Sequence, residues 1–523
     1  MATDLMFDPL RRRVLRGAAA ASALALLRAP VFAQSGSALH SLPRHALVIG
    51  NARYLNAPLD NPVNDAKAIA AQLKATGFDV ALQLDAGREA LARAIDDYVA
   101  RLASRKAVGL FYFAGHGVQL AWRNYLIPVD AVIQSQNDIA PRSVELNTLL
   151  QGLAKAANPM NVVILDACRD NPFGTAAPLE QKGLSQFDAP PGSLLAYATA
   201  PGNVASDGAD ANGLYTESLL RELKVPGAKI EDVFKRVRLA VRRRSNGQQI
   251  PWESTSLEED FYFQPPKTLQ KLSETEVEKR FEEELAIWEH IKAATDAAPI
   301  EDYLRRYPSG VFSEIAQLRL DQVLAQTGER KIQLVSSEKN PFSKGTAVID
   351  TRVKIGDRFR YREIDLDTQQ ETRQYTLTVA KVTDTEVFYG KGNLSTDLLG
   401  NWIKSPDGRQ WTGAQYFIPD YSLGKRWASR HRYTSVKGND FSTEYDLRVV
   451  ARERVKVPAG EFDAFRVDGN GWLRGATGAF QVTMRYWVTP GVRRFIAMEN
   501  TRKNPRGKIY KHDRLELMEF CCG

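Results

Sequence analysis

Two segments constrain this 523-residue chain more than any other feature: Phe111-Tyr-Phe-Ala-Gly-His116-Gly117 and Val162-Val-Ile-Leu-Asp166-Ala-Cys168-Arg169. Each is an apolar run of β-branched or aromatic residues that stops at a reactive side chain. Flanked by helical patterns, such runs predict buried strands of a parallel sheet. A residue just past the C-terminal end of such a strand lies on the rim where ligands bind. The histidine and the cysteine are therefore expected at one edge of one sheet.

A thiol needs a base to become a thiolate, and an imidazole can serve. His116 precedes Cys168 by 168 − 116 = 52 residues. Taken singly, His116 reads as a satisfied core histidine and Cys168 as an inert buried thiol. Together, with glycines around the histidine and both at strand ends, they predict a catalytic pair and a cysteine hydrolase. The other cysteines, Cys521 and Cys522, are adjacent near the C-terminus, where a bridge between neighbours is strained. No His/Cys grouping has metal spacing, so no metal site is expected.

The length predicts two or three domains. Residues 1–33 look like an export signal, with Arg11 and Arg12 as a twin-arginine pair. The apolar run Gly17–Leu27 is too short to span a bilayer, and Val31-Phe32-Ala33 is a small-residue cleavage site. An exported, periplasmic mature chain without a transmembrane segment is the expectation. From Arg44 to Phe263 strand and helix patterns alternate, which predicts a mainly parallel sheet with helices on both faces. Residues 264–330 read as a helical hairpin, opened by a Ser273/Glu276 capping box. Residues 331–346 are a polar linker. From 347 to 523 the period becomes two, as in Tyr375, Leu377 and Val379, and predicts an antiparallel β domain, a sandwich or curved half-barrel.

The full chain carries +8; residues 1–33 hold five Arg and two Asp, which leaves +5 for the remainder. That modest excess argues against a nucleic-acid partner, and Arg242-Arg243-Arg244 reads as the solvated end of a helix. His45 and His512 read as surface residues. Trp122, Trp252, Trp288 and Trp487 read as packing.

The region 44–263 resembles the caspase-like (C14) peptidases, in particular the bacterial orthocaspases and type I metacaspases. The resemblance rests on Leu47-Val-Ile-Gly-Asn51, Asn64-Asp65-Ala66, Ala114-Gly-His116-Gly117, Asp166-Ala-Cys168 and Tyr197-Ala-Thr-Ala-Pro201-Gly202. In caspases the histidine likewise lies about 50 residues upstream of the cysteine. It implies an endopeptidase in which Cys168 attacks the scissile carbonyl and His116 moves the proton. The backbone N–H groups of Gly117 and Cys168 would form the oxyanion hole. Asp65 and Asp166 match acidic positions of the metacaspase specificity pocket, which implies cleavage after Arg or Lys. Metacaspases often carry Ser or Thr two residues before the histidine; this chain has Ala114. The stretch Phe173–Ser193 is Pro/Gly-rich and expected to be exposed and mobile, with Lys182 a candidate for self-cleavage.

No cofactor is required by these residues. Calcium activates many metacaspases, but Asp130 and Asp138 match no calcium-loop spacing. The β domain carries no catalytic set; a cell-envelope partner is the expectation from its location. The alternative to a peptidase is a caspase-fold scaffold that binds through its helical and β modules.

Overall fold

The computed structural model describes residues 38–168, 171–174, 177–179, 183–200, 211–266, 272–329, 340, 343, 346–348, 352–435, 438–475 and 478–521. All fall in one compact unit, Gly36–Gly523. The export signal expected over residues 1–33 lies outside them.

The strands of the first domain are β1 Arg44–Gly50, β2 Asp79–Leu84, β3 Val108–Leu120, β4 Arg123–Leu126, β5 Val144–Glu145, β6 Asn161–Cys168, β7 Ser193–Tyr197 and β8 Trp252–Thr255. Its helices are α1 Ala38–Ser41, α2 Pro62–Ala75, α3 Arg88–Arg105, α4 Ile139–Arg142, α5 Leu146–Ala156, α6 Leu214–Glu222 and α7 Ile230–Arg244. The sheet order is β2-β1-β3-β6-β7-β8. Every pairing in it is parallel except that of the edge strand β8. Alternate residues of each strand feed opposite cores, as the period of two requires. Val48, Leu110, Tyr112 and Ile164 pack with α2, α6 and α7. Ile49, Phe111, Phe113 and Leu165 pack with α3 and α5. Burial on both faces explains why these strands are continuous apolar runs.

The helical region contains one more helix than expected: α8 Glu274–Ile291, α9 Ala297–Arg306 and α10 Ser313–Gln326. The Ser273/Glu276 capping box opens α8, and Asp296 caps α9 through the Ala298 N–H. Among the described residues after 346 there is no helix. Twelve strands, from Arg358–Asp365 to Ile509–Cys521, close into a barrel with antiparallel pairing throughout. The expected sandwich or half-barrel is thus corrected. Closure follows because the first barrel strand pairs with the last, from Arg358↔Cys521 to Asp365↔Asp513, leaving neither as an edge. Two short strands, Thr346–Val348 and Asp420–Ser422, form a ribbon beside it.

Charge and close approach join the three modules. Arg242, read as solvated, is largely buried; it pairs with Asp321 of α10 at 2.6 Å and with Glu329 at 2.7 Å. Arg243 faces Glu301 at 3.4 Å and Arg244 pairs with Glu217 at 2.7 Å. The basic run is a latch between helices because acidic residues far along the chain converge on it. Gly424 lies against Ser256, whose Cα would sit 2.6 Å from any Cβ there. His45 is buried, not exposed: it sits against the Tyr98 ring, and burial lowers its pKa. Among the described residues no helix is long and apolar enough to cross a membrane.

His431, inside the barrel, is held near the Tyr416 hydroxyl (3.2 Å), and burial pushes its pKa down to about 4. An unfolded histidine titrates near 6.5, so the unfolded chain binds more protons between those values. Stability from this group is therefore complete above about pH 6.5 and lost as pH falls toward 4. Denaturant titrations should show the wild-type advantage over His431→Gln shrinking by about 2–3 kcal/mol between pH 7 and pH 4.5. A constant advantage would mean that His431 does not titrate with unfolding.

Candidate active site

The site forms where the parallel sheet ends. Strands β3 and β6 run in register from Gly109↔Asn161 to His116↔Cys168. Adjacent strands lie about 4.8 Å apart, so the histidine and the cysteine are lateral neighbours on one rim. The expectation that His116 lies just past its strand is corrected. β3 continues to Leu120, but beyond this point its partner is the antiparallel β4. The parallel ladder ends with His116 and Cys168.

His116 is 4 % exposed. Its Nε2 lies 2.7 Å from the Ala57 carbonyl oxygen. A carbonyl can only accept, so Nε2 carries the hydrogen and Nδ1 is left as the basic nitrogen of the neutral ring. Ala57 holds φ = +65°, a left-handed conformation that non-glycine residues adopt at a cost of about 1–2 kcal/mol. Tyr54 packs on the same imidazole, with ring centroids 4.4 Å apart.

The Tyr54 hydroxyl also enters the ladder. It accepts from the His116 N–H at 2.9 Å and donates to the Ile127 carbonyl at 3.1 Å. In a regular antiparallel pair that N–H would reach that carbonyl directly. Gly115 makes room: it has φ = +153°, and a Cβ there would fall 2.5 Å from the Tyr54 oxygen. The Ile127 N–H donates to the His116 carbonyl at 3.0 Å. Since bonded and non-bonded pairs alternate, Gly117↔Leu126 is a non-bonded pair. The Gly117 N–H therefore points away from β4.

Asp65 and Asp166 are brought to a common neighbourhood. A Cβ on Gly50 would meet the Pro62 carbonyl oxygen at 2.4 Å and Ala66 Cβ at 2.6 Å. Glycine there lets the first turn of α2 rest on the end of β1, which sets Asp65 at the sheet edge, 3 % exposed. Its Oδ1 accepts from the Gly213 N–H at 3.0 Å. Asp166 Oδ2 accepts from the Thr216 hydroxyl at 2.7 Å and from the Tyr112 hydroxyl at 3.3 Å. Burial, then the charges of Asp166 and Asp65, holds the Tyr112 hydroxyl well above its usual pKa. One buried phenol thus feels both carboxylates.

The connection after β6 departs from expectation. Lys182 lies outside the described residues, but Leu184, Ser185, Gln186 and Phe187 are buried. The Asn124 side chain bonds both the N–H and the carbonyl of Ser185, at 2.6 and 2.8 Å. Asn340, from the segment read as linker, donates to the Gln186 carbonyl at 3.0 Å and to the Ser185 hydroxyl at 3.2 Å. Leu184 reaches the underside of Gly117, where an added Cβ would meet its Cδ2 at 3.1 Å. Polar composition predicted a solvated loop; side-chain amides satisfy its backbone instead. Asp130 and Asp138 are taken up locally. Asp130 accepts from the Arg88 N–H at the start of α3, and Asp138 from Ser135 and Gln134. Cys521 is exposed and unbridged; Cys522 lies outside the described residues.

The family model of the caspase domain, peptidase family C14, matches residues 43–262. This part of the chain is a caspase domain. Within the chain, 181 residues are 28 % identical to human mucosa-associated lymphoid tissue lymphoma translocation protein 1, covering 33 % of this chain and 21 % of that protein. The mouse homologue matches to the same extent. The chain thus spans about a fifth of the length of the curated relatives it matches. In the caspase domain, the contacts of Ala57 and Tyr54 with His116 are not legible in the sequence. A carbonyl acts whatever its side chain, and the tyrosine lies 62 residues before the amide it holds.

Tyr54→Phe leaves the His116 N–H and the Ile127 carbonyl without their bridge. Unfolding experiments should show a loss of about 1–3 kcal/mol; an unchanged midpoint would mean the hydroxyl is dispensable. Asn340→Ala should speed amide exchange across Leu184–Phe187. If those amides stay protected, Asn340 does not hold the connection.

Proposed function

We propose that this chain is an exported cysteine endopeptidase that cleaves peptide bonds after Arg or Lys. The observation that carries this reading is the His116↔Cys168 register together with the Ala57 carbonyl on His116 Nε2. With Nε2 held as the N–H, Nδ1 takes the proton of the Cys168 thiol and the thiolate adds to the scissile carbonyl carbon. Negative charge moves to the carbonyl oxygen, where the N–H groups of Gly117 and Cys168 receive it. The carbon–nitrogen bond breaks as His116 returns the proton to the leaving amine. Water, deprotonated by His116, then hydrolyses the thioester and frees the cysteine.

The acidic pair supports the preference for a basic residue. Two carboxylates close to one buried phenol repel each other, and a guanidinium or ammonium between them relieves that repulsion. Thr216 and Tyr112 hold Asp166, so the pocket includes α6 as well as the sheet. The twin-arginine pattern at 11–12 and the small-residue site ending at Ala33 support export, and an envelope partner of the barrel follows from that location. No cofactor enters these steps.

The purified chain should hydrolyse an Arg-ended peptide reporter and spare an Asp-ended one, and Cys168→Ala should abolish turnover. No turnover of either reporter, with or without calcium, would favour a scaffold that binds through its helical and β modules. Asp65→Asn should raise KM for the Arg reporter by about tenfold or more, the loss of one charge-assisted contact. Unchanged kinetics would remove Asp65 from the pocket.

A further inference from the structure

A cleft of about 480 Å³ opens between the helical module and the barrel. That volume lies in the range of small-molecule sites, about 300–1,000 Å³. None of its lining belongs to the caspase domain. Trp288 and Phe312 form the helical wall, their rings stacked at 5.7 Å and 9°. Trp402 and Trp411 form the barrel wall, with centroids 6.3 Å apart.

The two walls are fixed against each other. Gly413 has φ = +82°, and a Cβ there would fall 2.9 Å from Val311 Cγ1 and 3.1 Å from the Phe281 ring. Arg432 pairs with Glu278 and Glu282 of α8 and lies 4.9 Å over the Phe281 ring. The cleft therefore has a built shape and is not slack between modules.

Its chemistry narrows the ligand. Lys292, Arg319 and Lys404 face Glu289, Asp384, Glu386 and Asp397, a mixture of signs with no large excess of either. Burial pushes Asp397 up to about 6, and its carboxylate accepts from the Leu399 and Asn401 N–H groups. A strongly charged ligand would meet like charge without surplus compensation. A lipid chain would leave the amides of Gln410 and Gln415 and the charged groups desolvated without partners. A sugar ring satisfies both demands. Its polarised C–H face lies against the electron-rich face of an indole. Its hydroxyls, each donor and acceptor, pair with amides and carboxylates.

We propose that the cleft between α8, α10 and the barrel binds a short neutral oligosaccharide, stacked on Trp402 and Trp411. The site stands apart from the peptidase reading and does not need Cys168. It gives the barrel a ligand that would hold the caspase domain near glycan.

The test uses the full chain with Cys168→Ala, so that proteolysis cannot intervene. Calorimetry and tryptophan fluorescence would be recorded with N,N′,N″-triacetylchitotriose, maltotriose, a triuronate and a trialanine control. Binding of a neutral trisaccharide that weakens about five- to tenfold in Trp411→Ala or Trp402→Ala, at unchanged thermal midpoint, supports the site. The proposal is overturned if neither neutral sugar binds at about 10 mM, a level that detects even millimolar affinity. It is equally overturned if only the triuronate or the peptide binds, or if both folded tryptophan variants bind as tightly as the parent.

Discussion

The parallel register between β3 and β6 is the constraint from which the rest of the caspase domain follows. It sets His116 beside Cys168 at the last rung, with no loop needed to bring them together. Both strands are buried on two faces, so a slip by one residue would turn every side chain of a strand to the wrong core. The cost of such a slip is the mispacking of Tyr112, Phe113, Ile164 and Leu165 at once. The geometry of the rim thereby inherits the stability of the core beneath it.

What the register does not supply, the loop after β1 does. The Ala57 carbonyl selects the histidine tautomer, and the Tyr54 hydroxyl takes the place of a direct backbone bond in the ladder. Both depend on strained or permissive backbone, Ala57 at φ = +65° and Gly115 at φ = +153°. Strain of this kind persists only where surroundings over-determine it. Here the Asn51 side chain, bonded to the Ala86 N–H at 2.9 Å, ties the same loop to the neighbouring strand connection.

The outer modules are coupled to this centre by the same means. Arg242 latches α10, Gly424 admits the barrel against Ser256, and Asn340 fastens the segment whose Leu184 supports Gly117. Each contact bridges positions far apart in the chain. Arg242, in a basic run that reads as solvated, is a largely buried latch because its acidic partners, Asp321 and Glu329, come from another module, while Arg243 and Arg244 stay exposed. His45 reads as exposed but is buried for the same reason: Tyr98 covers it from α3.

Sequence alone determined the alternating strands and helices, the position of His116 and Cys168 at the end of one sheet, and the later change to an antiparallel β domain. Those are periodic or local properties: apolar runs, capping residues and turn glycines carry them in the order of the letters. Tertiary structure decided the closure of the barrel, the third helix of the middle module, the buried connection after β6 and the carbonyl on His116. Each of these joins groups distant along the chain through backbone atoms or paired charges. A backbone carbonyl is the same in every residue, so nothing in the sequence distinguishes the one that matters.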